Sequence, residues 1–125
     1  MSHRVLIVED NLANLELLYV WLEGEGYLVD TATTLDGAFV TVQRHPDAVL
    51  LDIQLGRHDG LSLVAWMREQ ADLASIPVIA VTAHALAPER QRARQAGCAD
   101  VLSKPVDFNV LRKCLEHWLP SPVTY

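Results

Sequence analysis

The stretch Asp47-Ala48-Val49-Leu50-Leu51-Asp52 decides the fold. Its four apolar residues are bounded upstream by Pro46 and downstream by the turn residues Gly56-Arg57-His58-Asp59-Gly60. A short continuous apolar run between such breakers reads as a strand buried on both faces, and strands of that kind belong to parallel sheets covered by helices. In an open α/β sheet the ligand crevice lies outside the carboxyl ends of the strands. Asp52 stands at such an end, so its carboxylate is expected in the crevice on a stiff backbone.

Similar runs recur on both sides. Residues 4–8 (Arg-Val-Leu-Ile-Val) stop at Glu9-Asp10, and residues 77–81 (Pro-Val-Ile-Ala-Val) stop at Thr82. Weaker strands are expected at 27–32 and at 99–102, the latter running into Ser103-Lys104-Pro105. Helices are expected at about 11–23, 35–44, 60–70, 86–96 and 107–119, with Gly24, Gly26, Gly97 and Pro120-Ser121-Pro122 as stops. Asn14, Leu17, Leu18, Trp21 and Leu22 share one face of the first helix. Leu61, Val64, Ala65 and Arg68 mark the inner face of the third, and Phe108, Leu111, Leu115 and Trp118 that of the fifth. Five strands alternating with five helices predict an α/β fold of (βα)5 type. Its five-stranded parallel sheet carries helices on both faces and takes, by default, the flavodoxin-like order 2-1-3-4-5.

At 125 residues the chain makes one domain, expected over 1–120, with 121–125 as a short tail. No apolar run approaches the ~20 residues of a membrane span. The strand at residue 4 leaves no room for a signal peptide, which predicts a cytoplasmic protein. The net charge of −6 argues against direct contact with nucleic acid and suits a site that gathers carboxylates around a cation. Cys98 and Cys114, without any CxxC spacing, read as free buried thiols.

The strand ends carry the chemistry. Glu9-Asp10, Asp52, Thr82 and Ser103-Lys104 all face one crevice in a parallel sheet. Three carboxylates so placed repel one another unless a cation sits among them. Oxygen-only ligands favour a hard ion, and a small open site suits Mg²⁺. Lys104 adds a point charge for a phosphate oxygen and Thr82 a hydroxyl donor. A carboxylate nucleophile, a metal, an ammonium and a hydroxyl are the parts needed to take up a phosphoryl group.

Over residues 4–119 the chain closely resembles the receiver domain of bacterial two-component response regulators. The resemblance rests on Val8-Glu9-Asp10-Asn11, on Leu50-Leu51-Asp52 with Gly60 eight residues on, on Val81-Thr82-Ala83, and on Lys104-Pro105. It implies that Asp52 accepts a phosphoryl group from a phosphohistidine. It also implies one Mg²⁺, replaceable by Mn²⁺, held by Asp10, Asp52 and the backbone carbonyl of Gln54, with Glu9 acting directly or through a water. Lys104 would pair with Asp52 and then with the phosphate, Thr82 would swing toward the phosphate, and Lys104-Pro105 would be a cis peptide. The implied partners are a histidine kinase or histidine phosphotransfer protein as donor and a downstream protein target, with no nucleic acid and no membrane. The implied state is a monomer or a weak phosphorylation-dependent dimer.

Three positions depart from the family pattern. Val101 replaces the aromatic that usually turns inward on activation. Gly56 stands where proline is common, which predicts a looser loop. Gln54 and His84 occupy the variable positions that set phosphate lifetime.

Two surfaces stand out. Leu12, Leu15 and Tyr19 widen the apolar arc of the first helix, either under neighbouring loops or as a docking face for a helical phosphodonor. Arg90, Arg92 and Arg94 form a local basic patch on the fourth helix, at the family's output or dimer face. The expectation is a stand-alone receiver rather than an enzyme, a phosphoacceptor that supports its own phosphorylation and dephosphorylation. The alternative is a receiver excised from a hybrid kinase. A haloacid dehalogenase-type enzyme would want an acid at Gln54. A flavin carrier would want a Ser/Thr/Gly-rich loop where Glu9-Asp10-Asn11 stands.

Overall fold

The structure, a computed structural model, describes residues 2–119. Its sheet contains β1 (Arg4–Val8), β2 (Leu28–Ala32), β3 (Ala48–Asp52), β4 (Val78–Thr82) and β5 (Asp100–Ser103). All neighbours run parallel, and numbered over these sheet strands the order is 2-1-3-4-5, as expected. The helices are α1 (Leu12–Gly24), α2 (Leu35–Thr41, continued by a 3-10 turn Val42–Arg44), α3 (Leu61–Arg68), α4 (Ala87–Ala96) and α5 (Phe108–Trp118). None is long and apolar enough to cross a membrane.

The continuous apolar runs are explained by what lies on each side of the sheet. Successive strand residues point to opposite faces, so a run such as Ala48-Val49-Leu50-Leu51 feeds two cores at once. Leu6, Val8, Val49, Leu51, Val78 and Ala80 pack with Ala38, Val42, Leu63, Val64, Met67 and Ala93 of α2, the 3-10 turn, α3 and α4. Val5, Ile7, Leu50 and Ile79 pack with Leu18 and Leu22 of α1 and Leu111, Cys114 and Leu115 of α5. Cys98 and Cys114 are free and buried, and burial pushes both thiols up to about 12.

Three helix faces differ from expectation. In α1 the core contacts come from Leu18 and Leu22, with Leu15, Tyr19 and Trp21 half-buried, while Asn14 and Leu17 are exposed. Apolar residues ring this helix almost completely, so periodicity alone picks out no single face. In α3 the buried face is Leu61, Leu63, Val64 and Met67, and Ala65 is exposed. Arg68 does turn inward, but as a polar peg: its guanidinium donates to the carbonyls of Gly97, Ala74 and Ile76. In α5 Trp118 is partly exposed, and Phe108 stacks on Trp21 of α1 with ring centroids 4.9 Å apart. The expected stop at 120–122 and the tail at 121–125 lie outside the described residues.

Candidate functional site

Each functional side chain sits at or just past the carboxyl end of a strand. Glu9 and Asp10 follow β1, Asp52 ends β3, Thr82 ends β4 and Lys104 follows β5. The parallel register aligns these ends: Val8 lies beside Leu51, Asp52 beside Val81, and Thr82 beside Ser103. Glu9, Asp52 and Thr82 are the buried polar residues of the described chain.

Lys104 joins the acids. Its Nζ donates to Asp52 Oδ2 at 2.9 Å and to Glu9 Oε1 at 3.1 Å. Burial by itself lowers the Lys104 pKa, but the hydrogen bonds to Asp52 and Glu9 outweigh it and hold the ammonium above its usual range. Glu9 is raised too, which for an acid disfavours the charged form. Burial first, and the neighbouring Asp52 carboxylate second, push it up to about 7. Its Oε2 is buried and has no hydrogen-bond partner among the described residues.

The Asp52 carboxylate is held from both sides. Oδ1 accepts from the Gln54 backbone N–H at 3.1 Å while Oδ2 takes the lysine. The chain then makes a two-residue antiparallel ribbon, Gln54–Leu55 against His58–Asp59, and returns to β3 at Gly60. A Cβ on Gly60 would lie 2.6 Å from the Asp52 carbonyl oxygen and 2.9 Å from that of Ile53. Only glycine lets the start of α3 close over the strand end that carries Asp52. Gly56, with φ +59°, donates its N–H to Asp10 Oδ2 at 2.8 Å. The looseness expected from a glycine there is therefore offset by a tether onto Asp10, which proline, lacking an N–H, cannot make.

Asp10, Asp52, Gln54, Gly56, Thr82, Ala83 and Lys104 line a cleft of about 240 Å³. Glu9, Asp10 and Asp52 each offer an oxygen, all within 4.8 Å of one another. Three carboxylates against one ammonium leave negative charge uncompensated, and the orphaned Glu9 oxygen lacks a donor. Both features fit a divalent cation bound through oxygen. Beside this cleft an apolar cavity of about 310 Å³ opens between α1 and the segment after β5, lined by Leu17 and Leu18 on one side and Pro105, Val106 and Phe108 on the other.

Other expected residues fare differently. The Lys104–Pro105 peptide is cis. His84 is exposed and does not line the cleft; its backbone N–H donates to Thr82 Oγ1 at 3.1 Å. Val101 is buried in the core. Of the supposed docking residues on α1, Leu15 and Tyr19 pack against the core, and the exposed apolar side chains are Leu12, Leu17 and Val20. The basic patch on α4 is divided: Arg90 is half-buried, while Arg92 and Arg94 are exposed. Arg90 turns back to the carbonyls of Ala85 and Val101, and Arg92 pairs with Asp59 at 2.8 Å on the surface. Sequence reading missed the inward role of Arg90 and the close approach at Gly60. In the sequence Gly60 reads as a turn residue at the start of the third helix, eight residues after Asp52.

Residues 5–116 match the sequence profile of the response regulator receiver domain. The chain belongs to that family. This receiver is 40% identical over 107 residues to the polar-differentiation response regulator DivK of Brucella ovis, a match covering 85% of this chain and 87% of DivK. Among solved structures it resembles the receiver domain of the sensor histidine kinase PA1611 from Pseudomonas aeruginosa PAO1, which has a magnesium ion coordinated in its active-site cleft. That likeness has a TM-score of 0.86 at 34% identity and covers 94% of this chain and 98% of that one. The chemotaxis protein CheY4 of Vibrio cholerae superposes with a TM-score of 0.89 over 95% of this chain and all of its own, and at 24% identity it speaks for the fold alone. As a receiver domain of a response regulator, the protein has a phosphoacceptor role in signalling, between a phosphodonor kinase and downstream targets.

Proposed function

We propose that Asp52 is the phosphoacceptor, taking a phosphoryl group from a phosphohistidine on a histidine kinase or histidine phosphotransfer protein. The observation that carries this reading is the double hold on its carboxylate, Lys104 on Oδ2 and the Gln54 N–H on Oδ1, at the head of a buried strand and at the floor of the cleft. In the transfer an Asp52 oxygen attacks phosphorus in line with the P–N bond. That bond breaks with its electron pair going to the donor imidazole, leaving an aspartyl phosphate. Lys104, already at 2.9 Å, follows the charge from the carboxylate to the phosphoryl oxygens. The Thr82 hydroxyl borders the same cleft and supplies a donor to another of those oxygens.

Asp10, Asp52 and the backbone carbonyl of Gln54 would hold one Mg²⁺, or Mn²⁺ in its place, with Glu9 completing the acidic set. The ion supplies charge neutralisation for the phosphoryl oxygens. Gln54 lines the cleft, and with His84, two residues beyond Thr82, it would set the phosphate lifetime.

The reading extends to a stand-alone cytoplasmic regulator, covering residues 1–120, that acts by phosphorylation-dependent protein contacts, as a monomer or weak dimer. The likeness to DivK, a protein named as a response regulator, supports a regulator that acts through its receiver domain. Incubation with acetyl phosphate and Mg²⁺ followed by intact-mass measurement tests the assignment. Wild type gains one phosphoryl group and Asp52→Asn gains none. Labelling of the variant at wild-type extent would show the acceptor to be elsewhere.

A further inference from the structure

We infer that Arg90 is a latch, tying the loop after Thr82 to β5 and setting how readily Thr82 moves toward a phosphoryl group on Asp52. The inference rests on the Asp52 reading above and adds to it a positioning residue on α4.

The loop between β4 and α4 is short and poorly anchored by apolar contact. Ala83 and Ala85 are small, and His84 and Leu86 are exposed. Its two ends are nevertheless held. At the start, the Thr82 hydroxyl accepts from the His84 N–H at 3.1 Å, so the hydroxyl and the first residues of the loop move as one body. Further on, the Ala85 carbonyl accepts from Arg90 Nε at 2.8 Å. The same guanidinium reaches on through Nη1 to the Val101 carbonyl at 3.0 Å. Val101 belongs to β5, the edge strand of the sheet, and is buried. One planar fork thus clamps the loop backbone to the strand backbone.

The chemistry of the fork matters. Guanidinium places its donors in a rigid plane and spans two carbonyls at once, whereas an ammonium is a single point with freely turning donors. A short Val101 side chain sends nothing out to the loop, so the bridge between loop and strand comes from the helix side. Movement of Thr82 toward a phosphoryl group on Asp52 carries His84 and Ala85 with it and stretches the bond from Ala85 to Arg90. The latch therefore favours the arrangement seen here, and its release favours the phosphorylated one.

Beryllofluoride with Mg²⁺, as a phosphoryl mimic, provides the test. Arg90→Ala binds it about three- to tenfold more tightly than wild type, the scale of losing one hydrogen bond of ordinary net strength. Arg90→Lys behaves like Arg90→Ala, because charge without the fork does not span the gap. In a Thr82→Val background the gain from Arg90→Ala disappears, since the pull on the loop is gone. Unchanged or weaker binding by Arg90→Ala, wild-type behaviour of Arg90→Lys, or a gain that survives Thr82→Val would each overturn the latch. Should the variants fold poorly, hydrogen exchange on wild type decides. Amides 84–86 exchange faster once beryllofluoride is bound, and unchanged or slower exchange there refutes the idea. Wild type that takes up no beryllofluoride sinks the Asp52 reading together with the latch; uptake by wild type with no change in Arg90→Ala sinks the latch alone.

Discussion

Gly60→Ala separates two opposing effects at the acceptor strand. In an open helical position alanine is preferred to glycine by about 0.5–1 kcal/mol, because glycine loses more backbone freedom on folding. Gly60 has φ −60° and ψ −23°, so its backbone alone would welcome alanine. Space decides otherwise. The new Cβ would meet the Asp52 carbonyl oxygen at 2.6 Å and the Ile53 carbonyl at 2.9 Å, where ordinary contact begins near 3.4 Å. Both atoms are backbone, at the end of a strand hydrogen-bonded on two sides, so neither can rotate away. Overpacking of this kind costs about 1–3 kcal/mol and outweighs the gain. We expect a net loss of about 1–2 kcal/mol, or a Tm lower by roughly 4–8 °C for a domain of this size. The strain falls on Asp52, the proposed acceptor, so labelling by acetyl phosphate should slow about tenfold, as small misplacements of reacting groups do. Gly24→Ala is the control. It sits in α1 with nothing within 4 Å of its added Cβ, and it should raise stability by about 0.5–1 kcal/mol. Urea and thermal denaturation with intact-mass kinetics measure all of this. A Gly60→Ala protein as stable as wild type and labelled at the same rate would refute the close-approach argument.

The remaining predictions concern charge and docking. Lys104→Ala leaves Glu9 and Asp52 facing each other without their shared ammonium. It should cost about 3 kcal/mol in metal-free urea denaturation, with part of the loss restored by excess Mg²⁺; an unchanged midpoint would contradict the pairing. Glu9, raised from 4.5 to about 7, contributes stability that is complete below pH 4.5 and is lost as pH rises through 7. Metal-free wild type should therefore lose up to about 3 kcal/mol relative to Glu9→Gln between pH 4.5 and 8, and a parallel pH dependence of the two proteins would count against the burial of that charge. Leu17→Asp, at the exposed mouth of the apolar cavity, should slow phosphotransfer from a histidine protein about fivefold or more while acetyl phosphate labelling holds. Leu15→Asp, half-buried against the core, should instead impair both together; loss of acetyl phosphate labelling in Leu17→Asp as well would remove the case for docking there.

The sequence by itself determined the sheet and which polar residues stand at its strand ends. Short runs such as Val49-Leu50-Leu51, cut off by breakers on each side, read as strands buried on both faces and leave Asp52, Glu9-Asp10, Thr82 and Lys104 at strand ends. Those signals are local, so they survive without coordinates. What depended on contacts between distant segments stayed hidden. Nothing near residue 90 tells that its guanidinium turns inward to Ala85 and Val101 rather than out to a partner, because the acceptors are backbone carbonyls, which every sequence offers everywhere. The requirement for glycine at position 60 comes from the return of α3 onto the end of β3, a matter of distance between backbones and not of composition. The buried face of α1 was undecidable from periodicity because apolar residues surround it. The packing of α1 against β1, β3 and α5 chose Leu18 and Leu22 and left Leu17 in solvent, since only one side of a helix can meet a sheet.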